Sequence, residues 1–204
     1  MLKIVKWVLV LLLALMVGGV LHYNLPRHDI VRVIGTENRR VTPGMNAIFW
    51  SNAEPGSGSR EVRDVFFINT ALPNGREKVF RNEDTGWGWP PYYKFSAFDM
   101  QAQVANMVST ADAPRWVAVR HYGWRNQFLT IFPNAVKVWE VPGPDTRIIP
   151  WFNIIFLTLL VAVVWAITAR VIRFRDRRLK PALDRLDKRV DARRAGMSRW
   201  FRGK

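Results

Sequence analysis

Glu83 and Asp84 are adjacent acids inside a loop crowded with aromatic residues. A general acid and a general base must face one substrate from opposite sides, as the paired carboxylates of glycosidases do. Neighbouring side chains in an extended chain point apart, so we expect these acids to be solvated or to pair with Arg81 and Lys94. The alternative hypothesis is a periplasmic hydrolase or glycan-active enzyme that uses Glu83 or Asp84 beside the aromatic loop.

Cysteine is absent, which excludes disulfides, thiolate metal sites and cysteine nucleophiles. His121 lies in a candidate strand and is expected to be a hydrogen-bonded structural residue. His22 and His28 lie too near the first apolar segment to complete an obvious metal set. Nucleotide-binding, serine-hydrolase and zinc-protease motifs are also missing. We therefore predict no catalytic residue, no cofactor, no metal ligand and no enzyme activity.

The segment Arg81–Phe95 contains two Trp, two Tyr and two Pro. Such a stretch is typical of an exposed platform that binds proteins or sugar rings. Alternatively, Trp87 and Trp89 close a barrel end or lie on lipid headgroups. Glycine and proline in the loop let the rings point to different sides, so we expect one Trp to be buried and the other exposed. The candidate interaction surface comprises Trp87, Trp89, Tyr92, Tyr93, Trp124 and Arg125.

Short β-branched runs separated by turn residues predict five or six strands. These runs are Ile30–Ile34, Ala47–Trp50, Val62–Asn69, Lys78–Arg81, Trp116–Tyr122 and Val136–Val141. One helix is predicted over Ala97–Val108, starting at Ser96 and presenting an apolar face of Phe98, Ala102, Ala105 and Val108. This order predicts a membrane-anchored α+β fold with a small five- or six-stranded barrel and one helix. A sandwich would give the same order.

Two apolar segments are candidates for membrane helices. Trp151–Ala169 has 19 uncharged residues, which span about 28 Å and match the bilayer core. Trp7–Leu21 has 15 uncharged residues and fits either an uncleaved anchor or a cleaved signal peptide. Neither segment contains an ionisable group, which argues against an ion or proton pathway.

Basic residues flank both segments on their outer sides, which predicts that both termini are cytoplasmic. We therefore expect an anchor at 1–23, a periplasmic β-rich domain at 24–147, a second membrane helix at 148–170 and a basic cytoplasmic tail at 171–204. The central domain then lies outside the cytoplasmic membrane, which is the periplasm in a Gram-negative cell.

The positive charge is concentrated at the carboxyl end. The net charge is +15, and residues 170–204 hold 14 basic residues against four acidic ones. Anionic lipid is the preferred partner, a protein helix is an alternative, and nucleic acid is unlikely because a tethered tail meets lipid first. The candidate lipid-binding residues are Arg173, Arg175, Arg177, Arg178 and Lys180.

Several strings in the chain resemble one bacterial family. These are Arg81–Phe95, Ala113–Val138, Ile148–Leu157 and the entry HYNLP at residues 22–26. They resemble the membrane proteins known as domain of unknown function 1523 over about residues 20–178. The resemblance implies an inner-membrane protein with a domain between two spans, and it supplies no activity, cofactor or catalytic residue. We therefore predict a non-enzymatic envelope protein whose periplasmic domain binds a partner.

Overall fold

The computed structural model describes residues 2–42, 46, 49–50 and 62–179. Its elements, in chain order, are α1 (Leu2–Asn24), β1 (Arg27–Val41), β2 (Arg63–Ala71), β3 (Glu77–Asn82), α2 (Ala97–Ala105), β4 (Trp116–Tyr122), β5 (Asn134–Glu140) and α3 (Trp151–Phe174). A π-helical turn, Arg175–Leu179, follows α3. Residues up to Pro150 form one compact unit, and those from Trp151 form a second.

The five strands close into a barrel in the order β1-β2-β3-β5-β4. All neighbouring pairs are antiparallel except β3 and β5, which meet in parallel at Arg81 and Asn134. The long strand β1 pairs with β4 over Arg27–Arg32 and with β2 over Arg32–Val41. A register shift lies between Val33 and Gly35 in the pairing with β2. This order, with a helix between β3 and β4, is that of an OB-fold.

The barrel is filled by apolar side chains from all five strands. They include Val31, Ile68, Phe80, Val119 and Val138, each at most 2% exposed. Helix α2 adds Met100 and Val104 to this cluster, so it packs against the barrel core. At roughly 25 cal/mol per Å² of apolar surface, this burial is the main source of stability in the domain.

A second apolar cluster lies on the opposite face of β2 and β3. Trp50, Val65 and Phe67 form its centre, and Val79 and Phe132 pack against them. Successive side chains along a strand point to opposite faces of the sheet, which explains why there are two apolar clusters. Ile68 and Phe80 face the first cluster, whereas Phe67 and Val79 face the second. A cavity of about 470 Å³ adjoins the second cluster, with Glu37, Arg39 and Glu77 among its lining residues.

In the part of the chain that the structure describes, two helices are long and apolar enough to cross a membrane, over Lys3–Asn24 and Trp151–Arg177. Their most apolar windows are entirely exposed, unlike the core helix of a globular domain. Both extend beyond the uncharged runs at Trp7–Leu21 and Trp151–Ala169, because flanking Lys and Arg residues do not stop an α-helix.

Two sequence predictions are corrected by the structure. Phe49 and Trp50, the described end of the predicted strand Ala47–Trp50, lie in a turn, where the Phe49 carbonyl accepts hydrogen bonds from Tyr23 and Arg81. The buried face of α2 is Ala97, Met100 and Val104. Phe98, on the face predicted to be buried, is 74% exposed and packs edge-on against Phe66.

Candidate functional site

Glu83 and Asp84 point to different partners. The Glu83 carboxylate is 7% exposed and pairs with the Arg81 guanidinium at 2.9 Å. Asp84 accepts the backbone N–H of Ala97 at 2.9 Å and so stabilises the amino end of α2. The two carboxylates therefore do not form the facing pair that hydrolysis of a glycoside requires.

Arg81 is the centre of a buried polar network. Its guanidinium donates to the carbonyls of Phe49 at 2.7 Å and Phe132 at 3.1 Å, and it stacks on the Trp50 ring at 4.6 Å. With Glu83 as its ion partner, Arg81 ties β3 to the turn at residues 49–50 and to the start of β5. The network is a structural element that joins distant segments.

The three histidines are separated and have different partners. His121 is 2% exposed, and its Nε2 lies 3.0 Å from a carboxylate oxygen of Asp29, which also accepts from Lys78. Burial lowers the pKa of His121, and the neighbouring carboxylate raises it less. His28 packs against Trp139, and the Nδ1 of His22 accepts from Trp124 Nε1 at 2.7 Å. Within the described ranges, no three His, Asp or Glu residues are grouped as a metal site would require.

The loop between β3 and α2 presents its tryptophans to the surroundings. Trp87 is 84% exposed and Trp89 is 64% exposed, so the expectation of one buried Trp is wrong. The loop is instead anchored by Lys94, which is 4% exposed and donates to the Asn82 side chain and to the Ala135 carbonyl. Because Thr85 and Gly86 both donate to the Lys94 carbonyl, the ends of the loop are held together and neither Trp is needed inside.

Three rings of this loop form an exposed cluster. The Trp87 centroid lies 5.6 Å from that of Tyr93 and 5.4 Å from that of Phe95. Tyr93 and Phe95 are 56% and 57% exposed. We call Trp87, Tyr93 and Phe95 the ring cluster. Phe95 was not part of the predicted interaction surface. Its position two residues after Tyr93 was the signal in the sequence that could have identified it.

Tyr92 has a different role from its neighbours. Its ring stacks on Tyr122 at 4.7 Å with a 10° interplanar angle, and its hydroxyl donates to the carbonyl of Asn24 at the end of α1. Burial raises the pKa of the Tyr92 hydroxyl, so it remains a donor through the physiological range. Tyr92 therefore connects the aromatic loop to the first helix.

The last turn of α1 is held by the end of β4. Gly123 donates its N–H to the Tyr23 carbonyl at 2.9 Å, and the Tyr23 ring meets Trp124 edge-on at 5.3 Å. The Tyr23 hydroxyl donates to the Phe49 carbonyl at 3.2 Å. We call the set Tyr23, Phe49, Tyr92, Tyr122 and Trp124 the aromatic junction. The sequence analysis did not find the partners of Tyr23, because they lie in three distant segments.

The predicted interaction residues thus fall into two groups. Trp87, Trp89 and Tyr93 are exposed, whereas Tyr92 and Trp124 contact α1. Arg125 is exposed next to Trp124 and stacks on the Phe132 ring at 4.3 Å. The predicted six-residue surface is therefore divided, because some of its residues are exposed and others join the barrel to α1.

The basic end of α3 is exposed. Arg170, Arg173 and Arg177 line a shallow groove of about 310 Å³ beside Phe174. Arg175 pairs with Asp176 at 3.2 Å. The Arg178 side chain and Lys180 lie outside the described residues, as does the rest of the predicted tail. Arg173 donates its Nε–H to the Ala169 carbonyl at 3.2 Å.

Comparison with known proteins identifies the family. The sequence model of the family described as Protein of unknown function (DUF1523) matches residues 2–175. A protein described as "Uncharacterized protein" from Haemophilus influenzae is 34% identical over 150 residues, which cover 71% of this chain and 82% of the relative. No solved structure matches the chain. The predicted resemblance is confirmed, and the chain belongs to the DUF1523 family.

Proposed function

We propose that the protein is a two-span protein of the bacterial inner membrane whose barrel domain binds an envelope protein on the periplasmic side. The orientation is supported by Lys3 and Lys6 before the apolar core of α1 and by arginines from Arg170 onward in α3. Basic residues flanking short apolar spans favour the cytoplasmic side.

The ring cluster is the observation that carries the binding function. Aromatic side chains supply large contact areas at a low cost in conformational entropy, and they are enriched at the energetic centres of interfaces. Three such rings exposed together on a loop anchored by Lys94 form a preorganised surface. Trp89 lies on the same loop and enlarges it.

A non-enzymatic role fits the chemistry of the barrel better than hydrolysis does. The carboxylate of Glu83 is engaged by Arg81, and that of Asp84 by α2. A general acid would have to be free to approach a substrate oxygen. The two acids considered for the enzyme alternative are therefore assigned to structure.

The arginines at the end of α3 are proposed to bind anionic lipid. Each basic residue near an anionic bilayer contributes about 1 kcal/mol before screening. Arg173 and Arg177 lie one turn apart, which places both guanidinium groups on one side of the helix. This contact would fix the depth of α3 on the cytoplasmic side.

Reporter fusions test the orientation. Alkaline phosphatase fused at Gly75, in the exposed turn between β2 and β3, should be active, whereas a fusion after Lys204 should be inactive. Active enzyme at the carboxyl terminus together with inactive enzyme at Gly75 would reverse the proposed topology.

Photocrosslinking tests the binding surface. A photoreactive amino acid at Tyr93 should give a discrete protein adduct in intact cells, and Trp87→Ala should abolish that adduct without lowering the thermal stability. The same amino acid at Asp112, an exposed residue before β4, serves as the matched control. Equal adducts from both positions would argue against a specific surface at the ring cluster.

A further inference from the structure

The loop between β4 and β5 ends in an unusual turn. Asn126 and Ile131 exchange both backbone hydrogen bonds, at 3.1 and 2.8 Å, and Thr130 donates to the Gln127 carbonyl at 3.2 Å. Phe128 and Leu129 therefore occupy the two central positions of a tight turn, where polar residues, Gly and Pro are usual. Phe128 is fully exposed and Leu129 is 42% exposed.

The base of this loop is fixed to the end of α1. Trp124 Nε1 donates to His22 at 2.7 Å, and the Gly123 N–H donates to the carbonyl of Tyr23. Because the loop starts at these contacts, its base lies at the level of the last turn of α1. The position of that turn relative to a bilayer therefore sets the position of the loop.

The length of α1 places its last turn at the membrane boundary. The candidate span Lys3–Asn24 has 22 residues. At 1.5 Å per residue it covers about 33 Å, close to the roughly 30 Å of the hydrocarbon core. Since almost the whole helix is needed to cross, His22 and Tyr23 lie next to the headgroups.

The direction of the strands points the loop toward the bilayer. Strand β1 begins two residues after α1 and runs away from it, and β4 is antiparallel to β1, with Arg27 opposite His121. β4 therefore runs toward the membrane, and the loop that follows it projects further that way. Two residues beyond the Asn126–Ile131 pair reach about 7 Å, which is within the 5–10 Å depth of interfacial side chains.

From these observations we infer that the turn Gln127–Thr130 inserts Phe128 and Leu129 into the leaflet from which α1 emerges. The bilayer is the occupant because the loop is joined to a helix that crosses it. Arg125, exposed at the base of the loop, is placed at the depth of the lipid phosphates. The insertion rests on the proposed membrane crossing of α1.

Site-directed spin labelling tests the insertion, since a chain without cysteine allows single labels at chosen positions. The variants are Phe128→Cys, Asp112→Cys and Leu12→Cys in the full chain, reconstituted in nanodiscs of phosphatidylethanolamine and phosphatidylglycerol. Asp112 precedes β4, whose length from Trp116 to Tyr122 is about 20 Å, so it lies beyond the opposite end of that strand from Tyr122. Leu12 lies in the middle of α1 and reports on the span itself.

Collision rates with oxygen, which concentrates in lipid, and with a water-soluble nickel chelate are then compared. We expect the oxygen-to-nickel ratio at Phe128 to lie well above that at Asp112, because interfacial apolar side chains are buried about 5–10 Å into the boundary between headgroups and acyl chains. If the Phe128 label is as accessible to the nickel chelate as the Asp112 label, the insertion is overturned. If the Leu12 label is immersed in lipid in the same experiment, the membrane span of α1 still stands. Low collision with both reagents at Phe128 would instead show a protein contact and would also overturn it. An aqueous Leu12 label would contradict the membrane proposal itself.

Discussion

Breaking the buried pair of Arg81 and Glu83 should destabilise the barrel strongly. In Arg81→Met, the Glu83 carboxylate loses the Arg81 guanidinium in a site where it is 7% exposed, and the Phe49 and Phe132 carbonyls lose a donor. Removing one member of a buried ion pair costs about 3–5 kcal/mol. At about 4 °C per kcal/mol for a domain of this size, the Tm should fall by about 12–20 °C.

A double variant distinguishes the cost of an unpaired buried charge from the other effects of the two substitutions. Arg81→Met with Glu83→Leu leaves no unpaired charge, so it should cost less than the sum of the two single variants by at least about 2 kcal/mol. Thermal unfolding of the detergent-purified full chain, followed by near-ultraviolet circular dichroism, measures all three variants. Arg40→Met is the control, because its pair with Asp64 is solvent-exposed and worth less than about 1 kcal/mol. Additive costs, or a loss below about 1 kcal/mol for Arg81→Met, would refute the assignment of this pair to structure.

Two further changes test the loop anchor and the aromatic junction. Burial lowers the pKa of Lys94 to about 7, against 10.5 for the free side chain. Between these two pKa values the Lys94 amine is protonated in the unfolded chain and neutral in the folded one, so the stability of the fold rises with pH. The Tm should therefore rise from pH 7 toward pH 9 more in the wild type than in Lys94→Met. Parallel pH profiles of the Tm in the two proteins would contradict this. Gly123→Ala should cost about 1–2 kcal/mol, because its φ of +88° is a backbone conformation that a Cβ strains, whereas Gly143→Ala, in open space, should leave the Tm unchanged. Equal melting of the two glycine variants would show that the junction tolerates a side chain.

The strands could be predicted where local pattern decides them. Trp116–Tyr122 was predicted to the residue, since its β-branched and aromatic side chains suit a strand buried on both faces. The predicted run Ile30–Ile34 covers only the middle of β1, because the polar residues from Thr36 to Arg40 carry no apolar signal and are held by pairing with β2. Strand pairing across distant segments is not encoded in local composition.

The candidate site was predicted in its residue types and not in its geometry. Trp87 and Trp89 were identified from their density in one loop, but one of them was expected to be buried because glycine and proline let the rings point to different sides. In the structure Lys94 is the buried anchor of the loop, and both tryptophans are exposed. The face of α2 was assigned wrongly because the apolar residues of this helix allow two registers, and packing against the barrel selects Met100 and Val104. Both errors concern which side chain a tertiary contact selects, which periodicity alone does not decide.

The connection from α1 to β1 consists of Leu25 and Pro26 alone. Leu25 still donates its N–H to Leu21, and proline fixes its own φ, so this hinge has almost no freedom to swing. Because this connection is short and rigid, the barrel stays close to the end of α1. With α1 in the membrane, as proposed, a partner held in the same membrane would search for the ring cluster in two dimensions, at a far higher effective concentration than a partner that diffuses freely in solution.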